Sequence, residues 1–79
     1  MLKAFIMVSL KPNSIQAGID SINKLKNVKK IYTMTGEHDL IVEFEAEEIE
    51  DLHTFHFELD SLEFIEGVIT NVVMKEFIP

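Results

Sequence analysis

The residues with the most chemical capacity in this chain are consecutive. Thr35-Gly36-Glu37-His38-Asp39 sets a hydroxyl, an imidazole and two carboxylates around a single glycine. At a turn the backbone N–H groups of Gly36, Glu37 and His38 can form a concave nest for an anion, while the Asp39 carboxylate can accept hydrogen bonds from a cation. Thr35, Thr70 and Asn71 are candidates to complete such hydrogen bonds. In a plainer reading, which the residues alone favour, Gly36 supplies a positive φ and Asp39 braces a hairpin. His53, His56 and Asp60 recur at helical spacing, as metal ligands can, but no further ligand follows. A solvated helix flank and no metal are expected there. No motif calls for a cofactor, and the four methionines fall mostly at strand positions and read as packing.

Such a turn needs rigid flanks. Val28-Lys29-Lys30-Ile31-Tyr32-Thr33-Met34 precedes it and Leu40-Ile41-Val42-Glu43-Phe44 follows, both alternating apolar residues with period two. A hairpin is expected, its first arm reaching Met34 and its second running from His38 to Glu45. Leu2 to Leu10 places Ala4, Ile6 and Val8 on one face and Phe5 and Met7 on the other, so it reads as a central strand, apolar on both sides. Lys11-Pro12-Asn13 ends it, and Asn13 with Gln16 has capping-box spacing. Ile15, Ile19, Ile22 and Leu25 then follow a helical period, with Gly18 on the same side for close packing. Glu47-Glu48-Ile49-Glu50-Asp51 loads the start of a second helix with acids, which suits the positive end of its dipole. Ile49, Leu52, Phe55, Leu59 and Leu62 form its expected stripe. Phe57 falls opposite, beside Phe64, as a contact for another subunit, unless the helix ends near Asp60 and returns Phe64 to the core. Val68 to Phe77 reads as the last strand.

The order is strand, helix, strand, strand, helix, strand. Asn27-Val28 and Gly67-Val68 look like equivalent helix-to-strand joints, which makes two strand-helix-strand halves with right-handed crossovers. The expected fold is α+β, a ferredoxin-like βαββαβ sandwich with a four-stranded antiparallel sheet and two helices on one side, in a single domain over residues 1–79. Phe5, Met7, Ile41, Ile69 and Val73 leave the other sheet face apolar. A second subunit's sheet is expected to cover it.

Composition narrows the function. With 47% apolar residues in 79, the chain carries more apolar surface than one small core hides, which again favours assembly. No run approaches the length of a membrane span, and Met1-Leu2-Lys3 leads directly into a strand pattern, so a soluble cytoplasmic protein is expected. The net charge of −7 argues against direct contact with nucleic acid. Charge is also segregated. Residues 1–35 hold six lysines against Asp20, and residues 36–79 hold thirteen acids against Lys75, giving +5 and −12. That split could favour head-to-tail contacts between copies, or could describe two solvated faces. Arginine and cysteine are absent and glutamine occurs once, a weak lean toward a thermophilic source. Without cysteine there is no disulfide framework or thiolate metal site.

The pattern Leu25…Val28-x-x-Ile31-Tyr32-x-Met34-Thr35-Gly36-Glu37-His38-Asp39-Leu40-Ile41-Val42 resembles the effector-binding and assembly (RAM) domain of the Lrp/AsnC transcription regulators. Ala4-Phe5-Ile6-Met7-Val8, the Lys11-Pro12 step and Gly67-Val68 add to the resemblance, which spans essentially the whole chain. Full-length members carry an N-terminal helix-turn-helix domain, for which these 79 residues have no room, so the chain resembles the stand-alone form. The resemblance implies sheet-to-sheet dimers assembled further into octamers or decamers. It also implies an amino acid or similar metabolite bound between dimers near Gly36, within the set Thr35, Gly36, Glu37, His38, Asp39, Thr70 and Asn71. Two positions depart from the family's habit: His38 stands where Tyr or Phe is common, and Asn71 and Val73 where threonines are.

The expected function is therefore a non-enzymatic, ligand-sensing assembly module, with full-length Lrp/AsnC-type regulators as candidate partners for co-assembly, touching transcription only through them. A small dimeric α+β-barrel enzyme of the monooxygenase or isomerase kind shares the topology, but the strand residues facing the helices read as uniformly apolar. An ACT-like regulatory domain also shares the order; the position of the glycine turn, between the middle strands, favours the Lrp/AsnC reading. An RNA-recognition domain would need basic residues around exposed aromatics, where the third strand has Glu43 and Glu45.

Overall fold

A computed structural model describes residues 1–79 and has the βαββαβ order. The elements are β1 (Leu2–Leu10), α1 (Ile15–Ile22), β2 (Val28–Thr33), β3 (Leu40–Ala46), α2 (Ile49–Asp60) and β4 (Ile65–Val72). They form one antiparallel sheet in the order β2-β3-β1-β4, with β1 central.

Alternation along β1 and β3 decides which face is buried. Ala4, Ile6, Val8 and Leu10 of β1 meet Leu40, Val42, Phe44 and Ala46 of β3 beneath Ile22 of α1 and Leu52, Phe55 and Leu59 of α2. Phe44 and Phe55 stack at a tilt, ring centroids 5.0 Å apart, and join the sheet to α2. Gly18 is buried on α1; a Cβ there would lie 3.0 Å from Leu10 Cδ1, so the missing side chain sets how closely α1 approaches the sheet.

The opposite face has no layer over it. The register aligns Tyr32, Ile41, Met7 and Ile69 in one row across all four strands, with Phe5 in the next row between Glu43 and Asn71. Tyr32 is 42% and Ile69 48% exposed. A compact monomer of this mass exposes about 4,900 Å². This chain exposes 5528 Å², about 600 Å² more.

Several boundaries differ from the sequence expectation. β4 runs from Ile65 to Val72, not Val68 to Phe77. Val72, opposite Ala4, is the last strand residue, and beyond it the Val73 N–H donates to the Lys3 carbonyl at 2.8 Å. Met74, Phe77 and Ile78 are exposed. The equivalent joints are Val28 and Ile65. Each is followed by a register shift, at Lys29 in β2 and Glu66 in β4, so Gly67 lies inside its strand beyond the bulge while Asn27 ends its turn at φ +73. Asn13 does not cap α1. It adopts φ +63, which asparagine tolerates, and Ser14 takes the N-cap position without a side-chain cap bond. α1 stops at Ile22, with Leu25 packed on the core from the following turn. Ile49 sits at the margin of the α2 stripe and is exposed. α2 ends at Asp60, so Phe64 returns to the core and Phe57 stands alone outside.

Candidate functional site

The hairpin turn is held from both sides. Beyond the Thr33–Leu40 pair, the Met34 N–H donates to the Asp39 carbonyl at 2.9 Å, which narrows the connection to Thr35-Gly36-Glu37-His38. β2 thus ends at Thr33 and β3 begins at Leu40, leaving His38 and Asp39 in the turn and not on the returning strand. Gly36 has φ +111, a conformation closed to most side chains, and nothing lies within 4 Å of where its Cβ would be. Glycine is needed there for the backbone angle, not for space.

His38 and Asp39 reach away from the turn tip toward β1. The Asp39 N–H donates to the Val8 carbonyl at 2.9 Å, and its Oδ2 accepts from the Leu10 N–H at 2.7 Å. Backbone and side chain together thus continue the β1–β3 pairing past Leu40. His38 Nδ1 lies 3.2 Å from Ser9 Oγ. One Asp39 oxygen is committed to bracing β1; Oδ1 has no hydrogen-bond partner within the chain. Thr35, Gly36 and Glu37 are exposed at the tip.

Thr70 and Asn71 are placed elsewhere. As neighbours on a strand they point to opposite faces. Thr70 pairs with Ile6 and turns toward α2, where its hydroxyl is hydrogen-bonded to His56 Nε2. Asn71 pairs with Phe5 on the open sheet face. Ser9, which anchors the turn, is four residues along β1 from Phe5, or about 13 Å at the rise of a strand. Within one chain the seven candidates therefore fall into three places: the turn, the helix side of β4 and the open face.

The His56 contact with Thr70 was not anticipated. On sequence, His56 sat beside His53 and Asp60 as a possible metal ligand; in the fold its ring ties α2 to β4, and His53 and Asp60 are exposed on the helix. Its signal was present: His56 and Thr70 lie on consecutive elements, but nothing local fixes the rotation of α2 about its axis. A shallow cleft at the other end of the sheet, lined by Met1, Asn27, Lys29, Glu45, Ala46 and Glu47, contains none of the expected residues.

The model of the Lrp/AsnC ligand binding domain matches residues 3–79. The chain belongs to this family. Among curated Lrp/AsnC relatives, the HTH-type transcriptional regulator FL11 of Pyrococcus furiosus is 28% identical over 72 residues, covering 91% of this chain and 48% of the relative. The transcriptional regulator AzlB of Bacillus subtilis is 34% identical over 78 residues, with the same two coverages, 91% and 48%. The chain thus spans about half the length of the curated relatives it matches. Among solved structures, TTHA0845 from Thermus thermophilus superposes with a TM-score of 0.93 at 26% identity, each chain covering 100% of the other. FFRP-DM1 gives 0.87 at 27% identity, covering 94% of this chain and 100% of that one. The transcriptional regulator NMB0573 of Neisseria meningitidis, solved as a complex with L-Met, gives 0.85 at 23% identity, covering 99% of this chain and 53% of its own, and shows the same fold.

Proposed function

We infer that this Lrp/AsnC domain is a non-enzymatic module that senses an amino acid or similar small metabolite and responds through its state of assembly. The observation that carries the reading is the family match over residues 3–79 together with a braced Gly36 turn whose Asp39 keeps one oxygen uncommitted. The L-Met bound by the Neisseria relative supports the ligand class. A ligand's ammonium would meet Asp39 Oδ1 and its carboxylate the N–H groups of Gly36, Glu37 and His38, with Thr35 beside them. Thr70 and Asn71 would take part only from another copy, because in one chain they lie away from the turn.

Two copies would pair through the open sheet faces, burying the row Tyr32, Ile41, Met7 and Ile69. The dimers would assemble further, to an octamer or decamer, and the ligand would favour whichever state it binds more tightly. The regulators to which the chain is related make co-assembly with full-length members of the family, in the cytoplasm, its route to transcription. The test is light-scattering mass of the purified chain, alone and with each of the twenty amino acids. A mass or melting shift with one amino acid supports sensing and names the ligand. A monomer under every condition refutes the sheet-face dimer.

A further inference from the structure

We propose that His38 selects the ligand sensed at the Gly36 turn, favouring an amino acid whose side chain ends in a carboxamide; the selection rests on the sensing reading above.

His38 keeps its backbone N–H at the turn and sends its ring to Ser9 of β1. Alternation places Ser9 with Phe5 and Met7 on the open sheet face, one row beyond the pair Met7 and Ile69. Nδ1 lies 3.2 Å from Ser9 Oγ, which fixes the ring, and Nε2 has no hydrogen-bond partner within the chain. Opposite Ser9 on β4 is Gly67, where an added Cβ would meet only Ser9 Cβ, at 3.9 Å. The missing side chain leaves the flank of Ser9 open, a notch at the margin of the sheet beside the half-buried imidazole.

An amino acid held between Asp39 Oδ1 and the N–H groups of Gly36, Glu37 and His38 has solvent on the tip side, where Thr35, Gly36 and Glu37 are exposed. On the other side its side chain meets the His38 ring and the notch beside Ser9. A neutral imidazole has one donor and one acceptor nitrogen, so whichever role Nδ1 takes toward the Ser9 hydroxyl, Nε2 offers the other. A carboxamide carries both a donor and an acceptor and satisfies Nε2 in either case. An aliphatic side chain would cover Nε2 and leave it with neither water nor partner, which a site built around a polar group rejects. A carboxylate would stand beside Glu37 and Asp39, neither of which has a cationic partner, in a chain without arginine. A lysine-like side chain carries donors alone, and the carboxylate within its reach, Glu37, is exposed, where solvent screening leaves little gain.

The test is calorimetric titration of the purified chain with asparagine and glutamine, each against aspartate, glutamate, leucine and lysine. Wild type is expected to bind one of the two amides roughly tenfold more tightly than the acid of the same length and than leucine, the ratio that one neutral hydrogen bond supplies. His38→Phe should lower the amide's affinity roughly tenfold and leave that of leucine unchanged or higher, so that the preference disappears. His38→Gln, whose amide nitrogen can stand where Nε2 does, should recover part of it, and Ser9→Ala, which frees the ring, should weaken the amide alone. Unchanged far-UV circular dichroism confirms the fold of each variant. A loss common to every ligand in His38→Phe overturns the selection, because it makes the imidazole part of the turn's frame. A wild type that prefers leucine, lysine or an acid overturns the selection and leaves sensing in place. Binding of no amino acid overturns the selection and the sensing reading together.

Discussion

Asp39→Ala and Asp39→Asn separate the two tasks of one side chain. Oδ2 accepts from the Leu10 N–H at 2.7 Å, and Leu10 is only 7% exposed, so alanine leaves a buried donor without a partner. A hydrogen bond to an ionised acceptor contributes about 1.5–3 kcal/mol. In a domain of this size each kcal/mol shifts Tm by about 4–8 °C, so the alanine variant should melt roughly 6–24 °C below wild type. Asparagine keeps a carbonyl oxygen in reach of Leu10 and loses only the charge; its Tm should fall by less than half as much. Ligand affinity should not follow that order. Both variants lack the anion that an ammonium needs, so both should lose binding while keeping the dimer mass. Thermal melts by circular dichroism and calorimetric titration read the two effects separately. An alanine variant that melts within about 2 °C of wild type refutes the bracing role, and an asparagine variant with wild-type affinity removes Asp39 from the ligand site.

Gly36→Ala forces an L side chain to φ +111 with no clash, so urea unfolding should show a loss of about 1–3 kcal/mol at unchanged m-value; an unchanged midpoint would contradict the turn geometry. A double-mutant cycle on His56→Ala and Thr70→Val should give a coupling of about 0.5–1.5 kcal/mol, and additivity would mean that their contact does not hold α2 to β4. Phe55→Ala removes the ring packed on Phe44 and should cost about 3–5 kcal/mol in a denaturant melt, enough to unfold a small domain. Met7→Glu places a charge between Ile41 and Ile69 on the open face, and its light-scattering mass should be that of the monomer.

The fold was legible because β1 and β3 alternate cleanly and because Ile19, Ile22, Leu52, Phe55 and Leu59 recur at helical intervals. Those patterns fix which faces are buried, and the order of elements follows from them. Strand ends were less legible, since pairing depends on the neighbour. β4 stops at Val72, opposite Ala4, although apolar residues continue through Val73 and Met74 and β1 itself begins two residues earlier, at Leu2. The bulges at Lys29 and Glu66 are likewise properties of a strand pair and leave no mark in either strand alone. At the site, the glycine turn could be read from composition, but the direction of its side chains could not. Asp39 and His38 are drawn onto β1, far away in sequence, by the free Leu10 N–H and the Ser9 hydroxyl. Thr70 and Asn71 were grouped as neighbours in sequence, and the period of a strand sends them to opposite faces.

Calorimetric titration of the purified chain with each amino acid tests the central claim most directly. The account predicts saturable binding of at least one, with a melting temperature that rises with its concentration; at a hundredfold excess over the dissociation constant the added stability is about 2.7 kcal/mol, or roughly 11–22 °C. No heat and no shift with any amino acid at millimolar concentration would contradict the amino-acid sensor that this turn is inferred to serve.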